Sequence, residues 1–168
     1  MRNMLMFCVF YFLSIPVFSQ EADEKFDEGY LFYQQESYDL AVIRYSEAIN
    51  LNPDKAEYYY HRGVCLSLMR KDIEAIADFN KAISLQPDYP EAYFERGYSN
   101  YILDNLDEAL SDFNSAIKMN PNYAEAYMNR GTVKFDMNNM DGACADWKKA
   151  REFRIGVAET LVEQYCNY

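Results

Sequence analysis

Residues 56–89 read AEYYYHRGVCLSLMRKDIEAIADFNKAISLQPDY, and residues 90–123 read PEAYFERGYSNYILDNLDEALSDFNSAIKMNPNY. The second stretch restates the first at a shift of 34 residues. Gly29, Gly63, Gly97 and Gly131 keep that interval, and so do Ala41, Ala75, Ala109 and Ala143. Ala48, Ala82, Ala116 and Ala150 follow it too, as do Pro53, Pro87 and Pro121. A fixed period of this length marks stacked supersecondary units, each burying an apolar face on its neighbour.

Within residues 56–89, Tyr59, Gly63 and Leu66 share one helical face, and Ile76, Phe79 and Ile83 share another. Arg70, Lys71 and Asp72 form a polar break between them. Asn52-Pro53, Gln86-Pro87 and Asn120-Pro121 end each unit, because proline disfavours helix at the residue before it. Asp54 stands three residues before Glu57, Asp88 before Glu91 and Asn122 before Glu125, the spacing of an N-terminal capping box. The pattern predicts helices at 22–35 and 38–51, 56–69 and 72–85, 90–103 and 106–119, 124–137 and 140–153, and a last helix at 157–166. A mid-helix glycine costs up to about 1 kcal/mol relative to alanine. Four at one phase predict a close approach that excludes a side chain, with Tyr45, Phe79, Phe113 and Trp147 as the rings nearby.

These residues, an aromatic, Gly, Ala, aromatic, Ala and Pro at fixed phases, resemble the tetratricopeptide repeat. The resemblance divides the chain into four units at 22–55, 56–89, 90–123 and 124–157, with a capping helix at 158–168. It implies an all-α fold: a right-handed superhelical solenoid of four helix-turn-helix repeats plus that C-terminal helix. The departures fall at the ends. Lys25 stands where Tyr59, Tyr93 and Tyr127 stand later, and Ile155 stands where proline is expected.

Charge follows the same period. Arg62, Arg96 and Arg130 precede their glycines, and Asp78, Asp112 and Asp146 lie sixteen residues further on. In the first unit both signs reverse, with Glu28 before Gly29 and Arg44 sixteen residues on. A double reversal at fixed spacing predicts four ion pairs across the hairpins. Independent surface charge is the alternative. Such pairs fix geometry more than they add stability.

The first residues differ from the rest. Arg2 is followed by an apolar run at 5–17, and Val17-Phe18-Ser19 fits a secretory cleavage site, so residues 1–19 read as a signal peptide. An uncleaved anchor is the alternative, although the run is shorter than the roughly 20 residues of a comfortable span. Cys8, preceded by Phe7, is a poor lipoprotein site. The expected location is therefore periplasmic or extracellular. Cleavage leaves Cys65, Cys144 and Cys166. Cys144 and Cys166 lie equally far from a turn at 154–156, so an antiparallel hairpin brings them side by side. A Cys144–Cys166 disulfide is expected, with two free buried thiols as the alternative; Cys65 stays a small core residue.

By the resemblance, the first helices of successive units line a concave groove. Its positions here are Asp23, Phe26, Tyr30 and Tyr33; Glu57, Tyr60, Val64 and Ser67; Glu91, Phe94, Tyr98 and Tyr101; and Glu125, Met128, Thr132 and Phe135. No Lys or Arg stands among them, so the family's carboxylate clamp lacks its cations. Aromatic rings with acids at one rim suit an extended or helical peptide carrying apolar and basic residues. The alternative is that the rings pack helix on helix and that Glu57, Glu91 and Glu125 serve as caps.

The chain carries 27 Asp+Glu against 16 Lys+Arg, a formal charge of −11, which argues against nucleic acid and anionic membranes as partners. Membrane contact is left only to an uncleaved N-terminal segment. No phosphate loop, paired-cysteine metal motif or HExxH run occurs, and the lone His61 sits beside Arg62 without a nucleophile at catalytic spacing. The expectation is a non-enzymatic scaffold, adaptor or assembly factor with no cofactor and no metal. A carbohydrate-binding accessory protein of the cell envelope is the second reading, since tyrosines beside acids also suit sugars.

Overall fold

A computed structural model describes residues 4–166, with side chains from Ser19 to Cys166. The expected signal peptide and Cys8 thus lie almost wholly outside the residues whose side chains are described. The chain is all-α in helix-turn-helix pairs and forms two compact units, Met1–Leu85 and Gln86–Tyr168. The first contains α1 (Met4–Gln34), α2 (Tyr38–Leu51), α3 (Ala56–Leu68) and α4 (Asp72–Leu85). The second contains α5 (Pro90–Ile102), α6 (Leu106–Met119), α7 (Ala124–Asp136), α8 (Met140–Glu152) and α9 (Gly156–Tyr165). Apart from the start of α1, the bounds fall within two residues of those the periodicity predicts. Among the described residues no helix is long and apolar enough to cross a membrane.

The glycines sit where the two helices of a hairpin cross. A Cβ on Gly63 would stand 2.7 Å from the Phe79 ring, and one on Gly131 would stand 2.6 Å from the Trp147 ring. Tyr45 fills the same place against Gly29, and Phe113 against Gly97. Opposite them Ala41, Ala75, Ala109 and Ala143 are fully buried. The hairpin turns share another device. Glu36, Arg70, Asp104 and Asn138 all adopt left-handed backbone, with φ of 57°, 63°, 62° and 60°. In this conformation the amide of Lys71 reaches back to the carbonyl of Leu66 at 2.9 Å, and that of Asn139 to Lys134 at 2.8 Å, which satisfies the last carbonyls of the first helix.

The capping boxes do not form. Lys55, Tyr89 and Tyr123 occupy the N-cap positions of α3, α5 and α7, and none of their side chains makes a cap bond. The carboxamides of Asn52 and Asn120 instead accept the amides of Asp54 and Asn122 at 3.3 and 3.1 Å, turning the chain before the helix starts. That turn places Asp54 and Asn122 one residue too early to cap. Glu57, Glu91 and Glu125 are thereby left exposed, with no capping duty.

The charge positions come together across each hairpin. Arg62 grips Asp78 through two bonds of 2.7 Å, Arg96 grips Asp112 at 3.0 and 2.6 Å, and Arg130 grips Asp146 at 2.8 and 2.6 Å. The three aspartates are buried. In the first hairpin Arg44 meets Glu28 at 3.1 Å, and both are far more exposed. The sign reversal extends to a third position. Arg62, Arg96 and Arg130 lie over the rings of Tyr59, Tyr93 and Tyr127, whereas Lys25, in the corresponding place, pairs with Glu28 at 3.0 Å.

At the C-terminus Cys144 and Cys166 are joined by a disulfide that ties α9 to α8. Trp147, Val162 and Ala143 pack beside it, with Met128, Phe135 and Tyr165 around them. Cys65 is a free, fully buried thiol next to Tyr45, and burial pushes its pKa up to about 12.

Candidate functional site

In Met1–Leu85 the candidate face belongs to α1 and α3. Phe26 sits between rings: Tyr58 stacks on it at 5.2 Å, Tyr45 tilts against it at 5.4 Å and His61 meets it edge-on at 5.1 Å. His61 also meets Tyr60 at 5.1 Å and Tyr30 at 6.2 Å, both edge-on. Burial among these rings lowers its pKa and favours neutral imidazole. Tyr30 is 41% exposed and stacks on Tyr33, so the cluster opens to solvent through Tyr30. The acids of this face are partly engaged. Asp23 accepts the Tyr58 hydroxyl and lies 3.9 Å from Lys55, and Glu57 lies 4.0 Å from His61.

In Gln86–Tyr168 the face belongs to α5 and α7. Phe94 stacks on Tyr123 at 4.8 Å and tilts against Phe113 at 5.7 Å. Tyr98 is 38% exposed. The Tyr101 hydroxyl donates to Asp136 at 2.9 Å, and burial together with this bond raises its pKa. Glu91, Glu95 and Tyr98 share one stripe of α5 at i, i+4 and i+7. Burial pushes the Glu95 carboxyl up to about 7. Tyr123 is partly buried beside three carboxylates, those of Glu95, Glu91 and Glu125, and its phenol is raised as well. Glu91, Glu95 and Glu125 make no ion pair and no hydrogen bond among the described residues.

Of the expected groove residues, Tyr30 and Tyr98 are thus the exposed rings, while Phe26, Tyr33, Tyr60, Phe94, Tyr101 and Met128 are partly buried. All six of the partly buried residues also pack against buried clusters between helices. Three features escape a reading by period. Tyr58 bonds Asp23 and Tyr101 bonds Asp136, each one residue beyond a full repeat. Arg62 and Arg130 reach back to the preceding hairpin as well, donating to Ser46 at 3.0 Å and to Asn114 at 2.7 Å. The signal for these bonds is a polar residue, sixteen before the arginine, in the second helix of the earlier unit. No group of three or more His, Cys, Asp or Glu among the described residues could hold a metal ion.

The family models for the TPR repeat match residues 29–67 and 72–104, and the model for the tetratricopeptide repeat matches residues 90–123, together more than half of the chain. The chain belongs to the tetratricopeptide repeat family. These repeats are protein-interaction modules. A curated relative, the human small glutamine-rich tetratricopeptide repeat-containing protein beta, is 37% identical over 65 residues, 39% of this chain and 21% of its own length. The chain thus spans about a fifth of that relative. Among solved structures, the first TPR of Spaghetti (RPAP3) bound to the HSP90 peptide SRMEEVD superposes with a TM-score of 0.71 at 26% identity, covering 71% of this chain and 95% of that one. YrrB, a TPR protein with an unusual peptide-binding site, superposes with a TM-score of 0.76 at 20% identity, covering 96% of this chain and 88% of that one, a likeness of fold.

Proposed function

We propose that this protein is an exported, non-enzymatic adaptor or assembly factor that holds a peptide or helix of another protein against the aromatic, acid-rimmed faces of its first helices. The observation that carries this reading is the exposed Tyr98 ring on a stripe of α5 whose carboxylates are bound to nothing else among the described residues. The buried carboxylates of the scaffold find arginine partners within a hairpin, as Asp112 finds Arg96. Glu91 and Glu125 do not, and the missing caps leave them facing solvent.

The peptide-bound Spaghetti repeat supports a peptide as the ligand class. Its peptide ends in two glutamates, a valine and an aspartate, and acids on the face described here repel that chemistry. A segment with apolar and basic side chains suits the face instead. The Cys144–Cys166 bridge fits an oxidising compartment. The expected mature protein starts at Gln20, which intact mass of the protein recovered from cells reads directly.

Crosslinking in cells followed by isolation of the protein tests the function. The expected result is one stoichiometric protein partner, whose yield falls severalfold with Tyr98→Ala. Recovery of cell-surface polysaccharide in place of a protein, lost with the same substitution, would establish the carbohydrate reading and overturn this one.

A further inference from the structure

We propose that the outer edge of the first hairpin, where Leu31 of α1 and Leu40 of α2 face solvent, docks an amphipathic helix of another protein, with aliphatic side chains on the two leucines and a lysine or arginine opposite Glu24 and Asp27. This surface is additional to the aromatic face described above.

The repeat itself shows which way these residues point. One period on from Leu31 is Cys65, fully buried against Ala41 and Tyr45 of α2. In the other unit Val133 stands at the same phase, fully buried against Ala109 and Phe113 of α6. One period on from Leu40 is Glu74, which lines a cavity with Val42 and Ser46 of α2. Both phases therefore face the second helix of the hairpin before. No hairpin precedes α1 among the described residues, and Leu31 is 57% exposed and Leu40 41% exposed. Terminal repeats ordinarily turn a polar face outward. Glu24 conforms, standing where Tyr58 is buried one period later. Leu31 does not, and Leu40 stands where the next repeats carry Glu74 and Glu108.

The packing inside each unit also shows what fits there. The second helix of a hairpin brings apolar side chains one turn apart, Tyr38 and Val42 in α2 and Leu106 and Leu110 in α6. An amphipathic helix with aliphatic residues at i and i+4 reproduces that contact. A second copy of this chain does not supply it from its last hairpin, because Met140 and Cys144 of α8 pack with Leu161, Val162 and Tyr165 of α9.

Charge selects the partner further. Glu24, Asp27 and Leu31 share one face of α1 at i, i+3 and i+7. One period on, Tyr58 and His61 both pack on Phe26, so Glu24 and Asp27 point toward the vacant side as well. Glu24 accepts the exposed Gln20 carboxamide at 3.4 Å, and Asp27 has no ion pair or hydrogen bond among the described residues. These acids repel the same edge of a second copy and attract a basic helix.

Fluorescence anisotropy with the full chain provides the test. The probe is a labelled helical peptide with leucine at i, i+4 and i+7 and lysine elsewhere, and its control carries glutamate in place of lysine. The lysine peptide should bind and the glutamate peptide should not. Leu31→Ser combined with Leu40→Ser should weaken binding by about tenfold or more. Both side chains are exposed, and circular dichroism checks that the fold is kept. Ile73→Ser, on an aliphatic 76% exposed on α4, should alter binding by less than about twofold. Glu24→Gln combined with Asp27→Asn should weaken it severalfold at low salt and less at high salt. Failure of the lysine peptide to bind, equal binding of both peptides, or equal losses from the leucine substitutions and Ile73→Ser would overturn the docking edge. Loss with Tyr98→Ala but not with the leucine substitutions would overturn it too, while leaving the proposed function standing. Sedimentation of the unaltered protein should show no association through this edge, and a dimer that the leucine substitutions dissolve would overturn a partner helix as its occupant.

Discussion

The two units use one hairpin and present different chemistry on it. In Met1–Leu85 the first-helix face is partly occupied by its own residues around the exposed Tyr30: His61 fits among Phe26, Tyr45 and Tyr60, and Asp23 is held by Tyr58. In Gln86–Tyr168 Glu95, one repeat on from His61, has no partner among the described residues, and neither do Glu91 and Glu125. The hairpin crossing is the same in both, with a ring pressed on Gly29, Gly63, Gly97 or Gly131. The residues that define the repeat build the scaffold, and the residues that vary within it set what each unit can hold.

The largest expected effect contrasts two ion pairs. Arg62→Met leaves Asp78 buried without its partner and should destabilise by about 3–5 kcal/mol in urea unfolding. Arg44→Met breaks the exposed pair with Glu28 and should cost less than about 1 kcal/mol. Similar losses in the two variants would show that burial does not distinguish them.

Next comes the covalent tie, which joins α8 to α9 in the second unit. The bridge closes a loop with a sequence separation of 22, and reducing it should cost about 3 kcal/mol. Amide exchange should rise first in α9 and α8, with α1 to α4 unchanged. Uniform acceleration along the chain would contradict two separately compact units.

Glu95→Gln should stabilise the free protein at pH 8 by about 1–3 kcal/mol and change little at pH 4. The sign follows from the raised carboxyl. Between its ordinary pKa of 4.5 and about 7 the folded state binds more protons than the unfolded state, so stability falls as pH rises through that window. A carboxamide at this position cannot ionise and escapes the loss. Thermal melts of both proteins across that range read the effect, and a pH-independent difference would remove buried charge as its cause.

The smallest effect concerns the turns. Arg70→Gly relieves a side chain held at φ 63° and should gain about 0.5–1 kcal/mol. Asn138→Gly, at φ 60°, should gain less, because asparagine tolerates left-handed backbone. Equal gains would place the cost elsewhere than in the backbone.

Much of the scaffold is legible before any coordinates. Gly63 opposite Phe79, the prolines that end each unit and the helix bounds all follow from the period, because each repeat must present the same surface to its neighbours. What the period hides is what depends on exact placement of one residue. Asp54, Asp88 and Asn122 have the spacing of caps, yet the turn made by Asn52 and Asn120 starts two of the helices a residue later. The ring cage around His61 draws on α1, α2 and α3 at once, so no single stretch announces it. The burial of Glu95 is equally silent, since a glutamate beside an arginine reads as solvated charge until Arg96 is seen to point to Asp112.

A photoreactive residue in place of Tyr98, compared in cells with one in place of Ser111 on the exposed side of α6, tests the central claim most directly. The account predicts that a partner protein is captured from position 98 and not from position 111. Capture from 111 alone would contradict it.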